Sequence, residues 1–248
     1  MLLESKNAVI YGAAGSMGGA VARTFAREGA KVFLAGRTLA TLDAVAQEIA
    51  AAGGAAETAA VDALDQQAVE RHADEVVRTA GSIDISLNAI SLNDVQGIPL
   101  VELPLEDFLK PIVEAARTHF VTATAAARHM THQSSGVIVM LSSSAARESR
   151  HRMGGFNVAC AAIEALTRGL AGEVGRHGVR VVALRPNFTP ETAPGIAEAE
   201  LEPLVEDTLL GRLPRLAEVA STAAFVASDG AGSLTGAVVN LTCGAIVD

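Results

Sequence analysis

Residues 8–28 read AVIYGAAGSMGGAVARTFARE, an apolar run that breaks into glycines and then turns helical. The run Ala8–Tyr11 predicts a buried strand, and the pattern after the glycines predicts a helix. Glycines at Gly12, Gly15 and Gly18 would let the backbone approach a phosphate, and the helix N-terminus would supply amide donors. A tight turn without a ligand is the alternative. The glycine turn lies in the first strand–helix unit, and this position favours a dinucleotide-binding site. No Gly-Lys-Ser/Thr sequence follows the glycines, which disfavours a P-loop.

Strand-like and helical patterns alternate along the rest of the chain. The candidate strands are Ala8–Tyr11, Val32–Ala35, Ala56–Val61, Ile83–Asn88, Val137–Leu141, Val179–Leu184 and Val238–Leu241. The candidate helices are Gly18–Glu28, Leu39–Ala51, Gln66–Thr79, Leu105–Met130, Phe156–Gly175 and Leu216–Ala227. This alternation predicts a single doubly wound α/β domain over residues 1–248, with about seven parallel strands and helices on both faces. Residues 187–211 are rich in Pro, Glu and Thr, and this irregular segment is long enough to be a substrate lid.

Composition excludes several classes of protein. The chain has 248 residues, 50% of them hydrophobic and 19% charged, which favours a folded domain with a sizeable core. Its net charge of −9 argues against nucleic acid as a partner. No apolar run approaches the roughly 20 residues of a membrane span, and the first residues do not resemble a signal peptide. Cys160 and Cys243 have no disulfide or metal spacing, so we expect a soluble cytoplasmic protein without a metal site.

The end of the second candidate strand indicates which cofactor the glycine turn would hold. An NAD site has a carboxylate there for the ribose hydroxyls, whereas this chain has Gly36-Arg37-Thr38. A guanidinium suits the 2′-phosphate of NADP, although an ordinary solvated arginine is the alternative. The sequence therefore favours NADP(H).

With these motifs in place, the chain resembles the short-chain dehydrogenase/reductase family over essentially its whole length. The turn from Tyr11 to Gly18 is similar to that family's Thr-Gly-x-x-x-Gly-x-Gly, with the middle glycine one place earlier. Residues 87–90 keep the centre of the family's Asn-Asn-Ala-Gly, and residues 180–186 match the strand before its Pro-Gly, with Asn187 in place of the glycine. The resemblance implies a Rossmann-type fold and cofactor contacts from Gly12, Gly15, Ser16, Met17, Gly18, Arg37, Thr38, Asp62, Ala63, Asn88, Ala89 and Pro186.

The same resemblance places the family's catalytic set on positions that are mostly substituted. Its serine corresponds to Ser143, but its tyrosine corresponds to Phe156, its lysine to Cys160 and its asparagine to Ala115. No shifted alignment restores the pair, because the only tyrosine of the chain lies in the glycine turn. Loss of a positioned acid typically lowers a rate by about 10²- to 10⁴-fold, so unaided carbonyl reduction should be slow.

Three hypotheses address the missing proton donor. His151 could supply a proton, and the flanking Arg150 and Arg152 could hold an anionic substrate, although a solvated basic loop is the alternative. The reaction could instead need no phenol, as in reduction of an activated C=C bond or an imine with Ser143 polarising a carbonyl. The protein could also bind NADP(H) without turnover. Cys160 as a nucleophile is a further possibility, against which stands an ordinary buried thiol.

The resulting prediction is an NADP(H)-dependent oxidoreductase with an atypical active site, acting on a small carbonyl, enone or imine. The alternative is a catalytically silent or non-redox NADP(H)-binding protein, such as a sensor, a partner subunit, or a cyclase, dehydratase or isomerase that reuses the pocket. The family resemblance also implies a homodimer or homotetramer assembled through the helices at residues 105–130 and 156–175.

Overall fold

The computed structural model describes all 248 residues and contains one parallel sheet. The strands are β1 Asn7–Tyr11, β2 Lys31–Gly36, β3 Ala55–Ala60, β4 Ile85–Asn88, β5 Gly136–Leu141, β6 Val179–Pro186 and β7 Val238–Leu241. They lie in the order β3-β2-β1-β4-β5-β6-β7, so the chain reverses direction of winding between β1 and β4. Open α/β sheets bind ligands beyond the carboxyl ends of the strands at such a point. The predicted doubly wound, seven-stranded sheet is confirmed.

Helices cover both faces of this sheet. They are α1 Ser16–Arg27, α2 Leu39–Ala51, α3 Gln66–Ala80, α4 Leu105–Gln133, α5 Gly155–Val174, α6 Glu198–Glu206 and α7 Leu216–Ala227. Helices α3, α4 and α5 contribute to one apolar core, and α1, α2 and α7 contribute to the other. Successive residues of β1 enter opposite cores, since Val9 belongs to the first and Ile10 to the second. Burial on both faces explains why β1, β2 and β5 are largely apolar runs, whereas the edge strands β3 and β7 have no fully buried residue.

The segment predicted to be irregular contains a helix that the sequence pattern did not reveal. Within residues 187–211 the structure forms α6, and none of its side chains is fully buried. A helix without a buried apolar stripe lacks the periodic signal on which a sequence-based assignment depends. Pro203 inside α6 also argued against a helix, because proline removes a backbone donor.

None of the seven α-helices is both long enough and apolar enough to traverse a lipid bilayer.

Candidate active site

The glycine turn between β1 and α1 is packed too tightly for side chains at two positions. Gly12 has a positive φ of +76°, and a Cβ there would lie 2.7 Å from the carbonyl oxygen of Ala89. A Cβ on Gly18 would lie 2.2 Å from the carbonyl oxygen of Gly12. No side chain caps the N-terminus of α1 at Gly15. The first amides of α1 are therefore free to bind an anion, and the turn fits the pyrophosphate of a dinucleotide.

A cavity of about 280 Å³ lies beside this turn, and we call it the turn cavity. Predicted cofactor residues in its lining are Gly12, Gly15, Arg37, Thr38, Asp62, Ala63 and Ala89. The exposed guanidinium of Arg37 has neither a hydrogen bond nor an ion pair within the protein, so it is free to bind an anionic group. The Asp62 carboxylate accepts a hydrogen bond from the amide of Leu64 at 3.0 Å, which leaves its other oxygen without a partner.

Of the five remaining predicted cofactor residues, only Met17 lines one of the two cavities. Ser16 and Gly18 belong to the first turn of α1, and Pro186 is the last residue of β6. Met17 lines a second cavity, described next. Asn88 is buried beneath the turn, where its amide nitrogen donates to Thr122 Oγ1 at 3.1 Å. Asn88 therefore supports the cleft from below.

The second cavity is larger, about 790 Å³, and we call it the serine cavity. It shares Ala89, Ile90 and Ser91 with the turn cavity, so the two cavities are neighbours at the carboxyl edge of the sheet. The predicted site residues in its lining are Ser143, His151, Phe156 and Cys160. Ala115 is fully buried and does not line it. Residues of the segment 187–211 form another part of its wall.

Three of these residues determine what the serine cavity offers chemically. Ser143 follows β5, and its hydroxyl oxygen accepts a hydrogen bond from the amide of Ala145 at 3.3 Å. Its O–H therefore remains available as a donor. Phe156 presents a ring without an exchangeable proton. Burial raises the pKa of the Cys160 thiol to about 12, so it is protonated at neutral pH and matches the buried-thiol alternative.

The start of α5 holds Phe156 and Cys160 close to α4. A Cβ on Gly155 would lie 1.9 Å from the carbonyl oxygen of Phe108, so only glycine permits this approach of the helices. One side of the serine cavity is thus built from two helices in close backbone contact. The sequence pair Gly154-Gly155 signalled a turn but not this contact.

A buried charged network supports the wall behind Ser143. The Ser142 hydroxyl shares its one hydrogen between the Glu164 carboxylate at 3.1 Å and the carbonyl oxygen of Cys160 at 3.2 Å. Arg185 binds Glu164 through Nε at 2.7 Å and Nη2 at 2.9 Å, and it also contacts Asp248. Arg185 is only 2% exposed and Glu164 4%. Sequence reasoning missed this network, although an arginine near the end of a buried strand does indicate that an anionic partner exists.

The basic loop, residues 147–155, is joined to the segment 187–211 by Asp207. His151 Nε2 lies 3.0 Å from Asp207 Oδ2, and Arg150 also pairs with Asp207. Arg150 further contacts Glu148 at 3.3 Å. The structure therefore places His151 in the lining of the serine cavity, with one ring nitrogen engaged by a carboxylate. Neither Asp207 nor its pairing was evident in the sequence, since 56 residues separate it from His151.

Sequence reasoning also missed two polar features of the cleft. The Glu114 carboxylate accepts hydrogen bonds from the backbone and side-chain nitrogens of Asn93 at 3.0 Å, and both residues line the turn cavity. His119, one turn further along α4, lines the serine cavity and is only 2% exposed. Its only signal in the sequence was a histidine at helical spacing from Ala115.

Comparison with known proteins agrees with this geometry. A family model described as Enoyl-(Acyl carrier protein) reductase matches residues 12–245. Uncharacterized oxidoreductase YxbG of Bacillus subtilis is 32% identical, covering 94% of this chain and 88% of its own. Gluconate 5-dehydrogenase of Gluconobacter oxydans is 30% identical, covering 99% and 96% respectively. A short-chain type dehydrogenase/reductase from Mycobacterium ulcerans superposes with a TM-score of 0.92 at 25% identity, covering 99% of this chain and 91% of that one.

The fold and its cleft define a doubly wound, dinucleotide-binding class of protein with two adjoining cavities at the switch point of the sheet. The matches described above extend over nearly the full length of the chain and therefore identify its family within that class. The chain belongs to the short-chain dehydrogenase/reductase family, whose members are oxidoreductases that use nicotinamide cofactors.

Proposed function

We propose that this protein is an NADP(H)-dependent oxidoreductase that acts on a small carbonyl, enone or imine substrate, with Ser143 as a hydrogen-bond donor to it. The observation that carries the proposal is the junction of the two cavities. They share Ala89, Ile90 and Ser91, and the free hydroxyl of Ser143 lies on the larger side. A cofactor lying along the turn cavity would present its reactive end toward the serine cavity.

The residues of the turn cavity support NADP(H) as that cofactor. The amides that begin α1 would hold the pyrophosphate, and Arg37 with Thr38 would hold the 2′-phosphate. Asp62 would lie at the adenine end. When bound, this cofactor supplies or accepts the hydride. Arg37 is suited to the phosphate because no carboxylate of the protein neutralises it.

The composition of the serine cavity favours substrates that need little acid catalysis. Phe156 provides no proton, and the thiol of Cys160 has its pKa raised to about 12. A positioned acid typically contributes about 10²- to 10⁴-fold, so we expect simple ketones to react slowly. An enone or imine makes less demand, since the carbon accepting hydride is already activated and water can deliver the proton.

Cofactor choice is tested by fluorescence titration with NADPH and NADH, which is favourable because the chain contains no Trp. Arg37→Ala should weaken NADPH binding by roughly 10- to 100-fold, the range expected from losing a charge-assisted hydrogen bond, and should leave NADH binding nearly unchanged. Arg23→Ala is the matched control, because Arg23 pairs with Glu48 and does not line the cavity. Equal losses for the two cofactors would refute the 2′-phosphate contact.

Turnover is tested by a screen of ketones, enones and imines for NADPH consumption. Ser143→Ala should lower kcat by about 10²-fold, the effect of removing one donor to a developing charge. Ser149→Ala, in the same loop region but outside the cavity lining, serves as the control. NADPH binding without consumption of any substrate class would favour the alternative of a non-redox NADP(H)-binding protein.

We also propose a homo-oligomer, supported by an apolar stripe on α4. Leu105, Leu109, Val113 and Phe120 follow helical spacing and are 38–65% exposed. Exposed apolar stripes of this kind commonly mark protein interfaces. Light scattering should give a dimer or tetramer for the native chain and a smaller species for Phe120→Asp. A monomeric native chain would contradict this assignment.

A further inference from the structure

His119 is a buried imidazole that no part of the proposed function yet uses. It lies four residues after Ala115 on α4, so the two residues occupy one helix face. It lines the serine cavity together with Ser143, Phe156 and Cys160. This wall of the cavity lacks the tyrosine and lysine of the family's catalytic set, but it carries a different titratable side chain.

The two ring nitrogens of His119 have different surroundings. Nδ1 is buried and has no hydrogen-bond partner. Nε2 also makes no hydrogen bond within the protein but is not among the fully buried atoms, and His119 as a residue lines the serine cavity. A buried acceptor without a partner is better tolerated than a buried N–H without one. The proton is therefore assigned to Nε2, which makes this nitrogen a donor directed into the serine cavity.

Neighbouring groups leave that donor free and uncharged. Burial lowers the pKa of His119 to about 4, so the ring is neutral at pH 7. The hydroxyls of Thr118 and Thr122, on the adjacent turns, donate to backbone carbonyl oxygens at 2.8 and 2.7 Å. They do not compete for the imidazole. A neutral imidazole is known to polarise a carbonyl by donating a hydrogen bond without transferring its charge.

We propose that His119 donates a hydrogen bond from Nε2 to the reacting oxygen or imine nitrogen of the substrate, alongside Ser143. The proposal rests on the proposed function. As the substrate carbon accepts hydride, the π electron pair moves to the oxygen or nitrogen. Both donors stabilise the charge that develops there, and water supplies the proton. His119 thus replaces the hydrogen bond that Phe156 cannot make, but not the proton transfer.

The kinetic test uses the best substrate from the NADPH consumption screen. His119→Phe should lower kcat by about 10²-fold while leaving NADPH affinity, measured by fluorescence, unchanged. His119→Gln keeps an amide donor and should recover part of that loss, which a purely structural role would not predict. His72→Phe is the control, because His72 is the other histidine with a buried, unpartnered Nδ1 and lies against Tyr11, away from the serine cavity.

A second measurement does not depend on turnover. Nitrogen NMR of histidine-labelled protein at pH 7 should show His119 as a neutral ring protonated on Nε2, and a charged ring or the other tautomer would overturn the inference. A His119→Phe enzyme that folds and keeps kcat within about twofold would overturn it as well. If the wild-type protein does not consume NADPH with any of the substrate classes, the proposed function is contradicted, and the inference, which depends on it, is contradicted as well.

Discussion

Replacing Glu164 by Gln should destabilise the protein strongly, because it breaks the buried ion pair with Arg185. The guanidinium is 2% exposed and would keep only Asp248 as a charged partner. Breaking a buried pair typically costs about 3–5 kcal/mol. We expect about 3 kcal/mol, at the low end, because the Gln oxygen still accepts one hydrogen bond and Asp248 remains. For a chain of this length that corresponds to a fall of about 6–12 °C in Tm.

Thermal denaturation followed by circular dichroism measures this effect, and the chain offers a matched control. Glu75 binds Arg78 in a similar two-point geometry, but both side chains are more than half exposed. Glu75→Gln should change stability by less than about 1 kcal/mol. Equal shifts for Glu164→Gln and Glu75→Gln would refute the reasoning. The double variant Glu164→Leu with Arg185→Met should be less destabilised than Glu164→Gln, since it leaves no unpaired buried charge.

Three further predictions concern the turn, the buried histidine and the basic loop. Gly18→Ala should weaken NADPH binding at least tenfold, because the added Cβ would lie 2.2 Å from a backbone oxygen. Gly172→Ala is the control: a Cβ there would have no other atom within 4 Å, so this variant should bind NADPH normally in the same titration. Burial lowers the pKa of His119 from 6.5 to about 4. Below about pH 6.5 the unfolded chain therefore takes up a proton that the folded protein does not, so the free energy of unfolding falls as the pH is lowered toward 4. Between pH 6.5 and 4 the free energy of unfolding of the wild type should fall by up to roughly 3 kcal/mol more than that of His119→Phe, as followed by thermal melts. Equal decreases for the two proteins would contradict a lowered pKa for His119. Asp207→Asn should accelerate tryptic cleavage after Arg150 severalfold, and an unchanged cleavage rate would show that this ion pair does not restrain the loop.

The fold was predictable because its signals are local. Each strand buried on both faces is a short apolar run, and Gly12 and Gly18 mark the one turn where backbone segments touch. The helix α6 escaped prediction because it buries no side chain and contains Pro203. Where burial does not impose a period, the sequence carries little information about secondary structure.

The candidate site was predictable only in part, for a related reason. Arg37 and Ser143 stand at strand ends, where position in the pattern already indicates a role. The partners Glu164 and Arg185 are 21 residues apart in sequence, and only the packing of α5 against β6 brings them together. Nothing in the sequence singled out His119. Its proposed role depends on which of its atoms remain without a hydrogen-bond partner, and that is a property of three-dimensional packing.

The pairing of Arg150 with Glu148 and Asp207 has a consequence for substrate charge. These carboxylates are tethered to the same chain, so they face the guanidinium at an effective concentration of millimolar or above. An incoming anion at a lower concentration must displace them before it can bind. Arg150, which the sequence suggested as an anion-binding residue, is therefore already paired with carboxylates of the same chain, and we expect it to contribute little to the binding of an anionic substrate.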